Sequence, residues 1–550
     1  MVCKLKYILT VILVLNIIIY AKAEVGAENA YLEALREILD VTPTDKIEAI
    51  EDYAEEEKSD VEFNMKDMKF INMTLKDSII FALQNNYDIR IAKMDPMIKD
   101  NDITAAKSVF DPNLTITGNR DVGESPTINS LTLGLGAGFK IGEFKQDRNT
   151  VQTTVVKPLE TGGAFTLDIN TAPRIFIDPS PFNPLNPQST SSIEAKITQP
   201  LLKNAGIFYN RSNVYIARND KKISILGLKK AAIDVINSVQ MAYWELVKAI
   251  EELRVRRKSL ERAEDLLKKN KIQVEVGTLA PIEVLVAEDG VASQLEEVIV
   301  AENDIKDRED DLKKVINLGD NPVLSDVSIV PLDRASLDIR DVSIDESIKI
   351  ALENRPEVFQ QELNIKNTKI KVKQQKNQLL PQLNIEAGIS YHGLGSNLGN
   401  SLDSTFSEHF QREFFGVTLE VPLGNREARS NYSKAKLEEK QTVFNTRKIE
   451  QEIVVEVRKA VRQVKTNVER IKASKKAEEL ARARLEAEEK RFKVGRTTSL
   501  EIIRAQVDLA VSEGRATNAM VDYQISLGIM DAALGTILEK NNIIIEDTGI

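Results

Sequence analysis

The sequence has 550 residues, a formal net charge of −10, 42% hydrophobic and 29% charged residues, and one cysteine, Cys3. With Cys3 in the leader and His392 and His409 as the only histidines, catalysis by Cys or His and a Cys- or His-ligated metal are poorly provided for. The charges are interspersed, without the basic footprint of a nucleic-acid partner.

Residues 1–23 read as a secretory signal. Lys4 and Lys6 precede an apolar core from Ile8 to Tyr20, and Ala21-Lys22-Ala23 forms a small-residue cleavage site. That core is about 13 residues long, against the ~20 that a membrane-spanning helix needs. Residues 24–72 form an acidic extension, with 14 acids and 3 bases between 24 and 63. Short helices around Ala27–Leu39 and Asp45–Glu55, or partial disorder, are expected there.

From this point the chain is written twice. Leu75-Lys76-Asp77-Ser78-Ile79-Ile80-Phe81-Ala82-Leu83-Gln84-Asn85 reappears 269 residues later as Ile344-Asp345-Glu346-Ser347-Ile348-Lys349-Ile350-Ala351-Leu352-Glu353-Asn354. The pattern predicts a helix from Leu75 to about Ser108 and another from Ile344 to about Gln378, stopped by Pro112 and Pro381. Strand periodicity follows. Leu131, Leu133, Leu135, Ala137, Phe139 and Ile141 share one face. Phe165, Leu167 and Ile169 alternate with polar residues, as do Ile193, Ala195 and Ile197, and Phe415, Val417, Leu419 and Val421. Such alternation suits a barrel strand between lipid and water, and equally a half-buried strand of a soluble sheet. Strands are expected at 113–119, 129–141, 151–157, 163–171 and 192–199 in the first half, and at 382–391 and 414–421 in the second. The proline-rich stretch Ala172–Thr190 and the Gly/Ser/Asn-rich stretch Gly393–Glu408 read as exposed loops.

Long helices close each half, at about Asn210–Lys271 and Arg426–Lys493. In the first, Val239, Tyr243, Leu246, Ile250, Leu253, Leu260 and Leu267 keep heptad spacing, interrupted by Arg257 and Glu264. At 1.5 Å per residue each would reach ~100 Å. Both end at a Val-Gly turn, Val276-Gly277-Thr278 and Val494-Gly495-Arg496, before shorter return helices at Ile282–Leu318 and Leu500–Leu534. The offset is now 218, so the first half carries 51 extra residues in its strand region. The expected division is a signal (1–23), an acidic extension (24–72), a first repeat (73–318), a linker (319–341), a second repeat (342–538) and a tail (539–550).

The signal, the doubled helix–strand–strand–helix unit, its Ser-x-x-x-Ala-Leu-x-Asn opening, the Pro-x-Leu strand entry and the paired Val-Gly turns together resemble the TolC-type outer-membrane efflux family. So do the strand exits Gln199-Pro200-Leu201 and Val421-Pro422-Leu423. The resemblance covers residues 73–538 and implies a mainly α fold with a membrane β-barrel portion. It implies a homotrimer in which the chains share one β-barrel in outer-membrane lipid and one hollow α-barrel reaching into the periplasm. The implied function is a passive exit duct of a tripartite efflux or type I secretion system, serving a periplasmic adaptor and an inner-membrane transporter, with no enzyme activity, cofactor or nucleic acid.

The same resemblance makes Val276, Gly277, Thr278, Val494, Gly495 and Arg496 the tips that meet the adaptor. It implies a periplasmic gate at Glu283, Phe492, Arg496, Glu501 and Arg504. Glu283 and Glu501 align with inward acids, whose copies around an axis would form a cation-favouring ring. Phe492 stands where the family has a latch tyrosine, Thr497 where it has a latch arginine, and Arg504 in place of a second acid. Pairing of Glu501 with Arg504 at i, i+3 is the alternative to a ring. Two rival functions stay open at this point: a secreted coiled-coil spacer of the envelope, and a hydrolase, for which no G-x-S-x-G motif is present.

Overall fold

The computed structural model describes residues 70–128, 141–177, 185–318, 327–336, 338–407 and 410–543. The signal, nearly all of the acidic extension, the alternating run from Leu131 to Phe139, Pro179, Pro181, Pro184 and His409 lie outside the described residues. The elements begin with β1 (Phe70–Met73), α1 (Leu75–Asn85), α2 (Tyr87–Ser108), β2 (Asn113–Ile128), β3 (Ile141–Pro158), β4 (Ala164–Ile177) and β5 (Gln188–Pro200). Next come α3 (Ile207–Asn210), α4 (Ser212–Glu275), α5 (Ile282–Ile316), β6 (Ser328–Pro331), α6 (Ile344–Asn354) and α7 (Pro356–Asn377). β7 (Gln382–Gly395), α8 (Leu398–Phe406), β8 (Gln411–Glu420), α9 (Arg426–Lys493), α10 (Ser499–Ala533) and α11 (Ile537–Lys540) complete the chain. No described helix is long and apolar enough to cross a membrane.

The chain separates into two units. The first, Ala105–Asn213 with Lys373–Tyr432, is built on one sheet. Its six strands pair in the order β2-β3-β4-β5-β7-β8, and every junction is antiparallel. Side chains alternate across a strand, so the register assigns each residue to a face. Leu114 pairs with Val155, Val155 with Leu167, Leu167 with Ala195 and Ala195 with Ile389, all on one face. That face also carries Phe165, Ile193, Ile197, Ala387, Phe415, Val417 and Leu419. The other carries Thr154, Asp168, Glu194, Lys196, Glu386 and Thr418. Three apolar residues of β8 stand open, Phe415 at 70%, Val417 at 57% and Leu419 at 62%.

The expected helix–strand–strand–helix plan fits the second half, whereas the first holds four described strands. Its surplus is the β3–β4 hairpin, paired with its neighbours along its length. Two expected loops are also shorter than read. β4 runs on to Ile177, with Pro173 at its register shift, where a missing N–H is tolerated. β7 runs to Gly395, placing His392 in a strand, and the Gly/Ser/Asn-rich stretch beyond it contains α8. This helix lies against the sheet because Gly393 and Gly395 leave room for the Ser401 and Thr405 backbone, and the buried Ser191 hydroxyl bonds those of Ser401 and Thr405, each at 2.6 Å.

The second unit is helical. The opening helices predicted to run unbroken are each cut in two. Asn86 breaks the first, turning its side-chain oxygen to accept the Asp88 N–H at 2.8 Å and so starting α2. Arg355 breaks the second because a residue before proline is pushed out of the α region. The duplicated motif does the same work twice. Ser78 and Ala82 are buried in α1, Ser347 and Ala351 in α6, and each serine hydroxyl donates to the carbonyl four residues earlier. β1 and β6 form a two-stranded parallel sheet. The segment after β6 is fastened by two fully buried tyrosines. Tyr243 donates to the Asp333 carboxylate at 2.8 Å, and Tyr523 donates to the Asp338 carbonyl at 2.7 Å. Burial holds the Tyr243 phenol well above its ordinary pKa.

α4 and α9 have 64 and 68 residues, or about 100 Å each at the helical rise. Toward its C-terminus α4 buries Val255, Ser259, Ala263, Leu266 and Asn270. The expected seam residues Leu253, Leu260 and Leu267 are only half-buried. The buried stripe mixes apolar Val255, Ala263 and Leu266 with polar Ser259 and Asn270.

Candidate functional site: the paired hairpin turns

Both turns that join long and return helices have the same hydrogen-bond pattern. Gly277 N–H donates to Val274 O at 3.0 Å and Thr278 N–H to Gln273 O at 2.9 Å. Gly495 N–H donates to Phe492 O and Arg496 N–H to Arg491 O, both at 2.9 Å. This is the Schellman arrangement, which needs a left-handed residue just past the helix. Gly277 and Gly495 supply it, with φ of 74° and 69°. Val276 and Val494 therefore stand out at the two ends, each 67% exposed. Ile282 and Leu285 behind the first turn are also largely exposed.

Behind the turns the two hairpins are joined. The Glu283 carboxylate accepts the Ser499 N–H at 3.0 Å, capping the first turn of α10 from the other half of the chain. Asn270, fully buried, donates its side-chain amide to the Glu283 carbonyl at 3.0 Å and to the Ser499 hydroxyl at 2.8 Å. Glu501 is bonded to Arg504 one turn along α10 at 2.7 Å. Phe492 packs against a small core of Leu266, Leu485, Ile502, Ala505 and Leu509. Arg496 is exposed, in the second turn itself. Gly290 lets α5 and α10 close together, since a Cβ there would stand 3.1 Å from the Ile503 side chain.

Further along, α10 is held between α4 and α9 by two acids. Glu513, with only 8% of its side chain exposed, takes Arg262 of α4 at 3.0 Å and Arg482 of α9 at 3.2 Å. Asp522 takes Lys248 of α4 at 3.3 Å and Arg470 of α9 at 3.0 Å. These rungs and the Asn270–Ser499 contact were missed in the sequence. Charged and polar residues on amphipathic helices read there as solvated faces. The two that interrupt the α4 heptads gave no hint, since Arg257 pairs with exposed Glu302 and Glu264 is itself exposed. Among the described residues no cluster of His, Cys, Asp and Glu could hold a metal ion. The arrangement offers no nucleophile with a base. What it can do is hold two helical hairpins together at their ends.

A family model described as outer membrane efflux protein matches residues 186–318 and 347–536. The chain is similar to outer membrane protein TolC of Vibrio cholerae, 24% identical over 342 residues, which cover 60% of this chain and 75% of that protein. Among solved structures it resembles the CmeC outer membrane channel of Campylobacter jejuni, with a TM-score of 0.58 at 15% identity over 84% of this chain and 86% of that one. It also resembles the outer membrane protein VceC of Vibrio cholerae, with a TM-score of 0.57 at 15% identity over 84% and 96% of the two chains. At such identities the structures speak for the fold alone.

Proposed function

Because the chain belongs to the outer membrane efflux protein family, we propose that it is a passive duct of a tripartite efflux or type I secretion system, crossing the outer membrane and extending into the periplasm. Three copies close one barrel and one helical tube. They are served by a periplasmic adaptor and an inner-membrane transporter, and no bond is made or broken.

One observation carries this reading: the six-stranded sheet has an apolar face that α8 covers near Ser191 but that stays open at Leu114, Phe165, Ile197 and along β8. Its outer strands β2 and β8 are free edges among the described residues. Lipid satisfies the face but cannot satisfy the edges, so β8 of one copy must pair with β2 of the next. The strand directions permit it, because β2 and β8 run antiparallel and the junction continues the pattern. Leu253, Leu260 and Leu267, half-covered along α4, give the helical unit a matching seam for another copy. A coiled-coil spacer leaves the apolar face of the sheet without a role.

Within this reading the exposed Val276–Thr278 and Val494–Arg496 turns are the adaptor contacts. Glu283, Phe492, Arg496, Glu501 and Arg504 form the periplasmic gate. Its resting state is the clasp of Glu283 and Asn270 on Ser499. The Glu501–Arg504 pair favours an intrahelical partner for Glu501 over a bare acidic ring. Extraction of outer membranes with detergent tests the assembly. Trimers that resist unheated SDS support it, and a protein recovered without detergent as a monomer refutes it.

A further inference from the structure

We propose that the β3–β4 hairpin is part of the barrel wall, so that each chain contributes six strands and three copies build an eighteen-stranded barrel. The inference rests on the duct reading above and adds to it the width of the membrane section. It follows from three features of the hairpin itself.

The first is register. β3 and β4 are inserted between β2 and β5 as full members of the sheet, with Leu114–Val155–Leu167–Ala195–Ile389 forming one unbroken row of partners. A hairpin standing above the membrane would instead pair beyond the ends of its neighbours. The second is the apolar band. Val155, Phe165 and Leu167 continue the face that carries Ile197 on β5, where Phe165 and Ile197 stand exposed. Farther along the strands the same face is covered, with Thr153 and Ile169 buried. The third is the opposite face, where Asp168 accepts from Gln152 at 2.8 Å and from Thr154 at 2.9 Å, a polar ladder suited to water. Adding a hairpin also keeps the strand number even, so the junction between copies stays antiparallel.

The consequence is size. Eighteen strands about 4.8 Å apart, tilted by about 40°, give a backbone diameter of roughly 36 Å, against roughly 24 Å for twelve. After side chains are allowed for, the clear bore is roughly 25 Å, wide enough for two packed helices of about 10–12 Å each. The membrane section is then no sieve for small molecules. It admits a polypeptide that keeps local helical structure, and size selection falls to the tip.

Nitroxide labels at single cysteines, in full-length protein carrying Cys3→Ser and reconstituted in lipid, test the wall directly. The variants are Val155→Cys and Leu167→Cys on the apolar face, Thr154→Cys and Thr166→Cys on the polar face, and Leu419→Cys on β8 as the membrane control. The expected result is preferential collision with oxygen over a water-soluble nickel chelate at 155, 167 and 419, and the reverse at 154 and 166. Lipid contact at 419 with water at both 155 and 167 overturns the six-strand wall while leaving the duct intact. Water at 419 as well overturns both. Cryo-electron microscopy of the assembly reads the same point as a count, eighteen strands against twelve.

Discussion

Glu283 and Ser499 stand 216 positions apart, yet the carboxylate of one accepts the backbone N–H of the other at 3.0 Å. One half of the chain thereby caps a helix of the other, at the end where both reverse direction. The first N–H groups of a helix have no partner within it, and a carboxylate there also complements the helix dipole. Glu283→Ala should cost about 1 kcal/mol at this end. Hydrogen exchange should quicken at Ser499–Glu501 and the single channel should open more often. Unchanged exchange and unchanged gating would remove Glu283 from the clasp.

Glu513 poses a sharper test, because it is nearly buried between two arginines. Glu513→Ala leaves Arg262 without its bidentate partner in a half-buried setting, at a cost of about 3 kcal/mol. Thermal dissociation of the assembly should shift down by several degrees, whereas the exposed Asp508–Arg484 pair should be worth less than about 1 kcal/mol when broken. Equal effects of the two substitutions would contradict the rung.

At Gly495 the backbone has φ of 69°, which costs an ordinary L-residue roughly 1–2 kcal/mol. Gly495→Val should loosen the second turn, seen as faster amide exchange at Gly495 and Arg496. Gly495→Asn should be milder, since asparagine enters this region more readily. A valine variant that behaves like the asparagine one would show that the turn does not depend on the glycine.

Acid should weaken the junction of α6 and α7 through Glu357. Burial alone would raise its pKa, but two hydrogen bonds from Arg355, at 2.7 and 3.1 Å, outweigh burial and hold it below the ordinary 4.5. A depressed carboxylate stabilises the fold above its unfolded pKa, and that contribution fades as pH falls through the folded value. Glu357→Gln should therefore lower the Tm at pH 7 and flatten its decline below pH 4.5. Parallel acid profiles for the two proteins would contradict this.

Much of the fold could be read in advance because it rests on period and punctuation. Alternation at Ile193–Ile197 and Phe415–Leu419 gave strands, and glycine after valine gave the two reversals. Other features depend on contacts that no local pattern displays. Asn86 ends a helix by folding its own side chain onto the backbone, and a polar residue in a helical pattern carries no such mark. Gly393 and Gly395 suggested a loop, yet their missing side chains are what let α8 lie on the sheet. Asn270 and Ser499 are small polar residues far apart in sequence, and their meeting depends on how the two hairpins pack. Arg355 before Pro356, by contrast, carries its mark in the sequence, and the helix expected from Ile344 to about Gln378 ran through it all the same.

The central claim is that copies of this chain enclose water across a lipid barrier. Planar-bilayer recording of the purified full-length protein tests it most directly. The prediction is discrete, repeatable conductance steps, altered in opening frequency by Glu283→Ala. A protein that stays in the aqueous phase and passes no current at any concentration would contradict it.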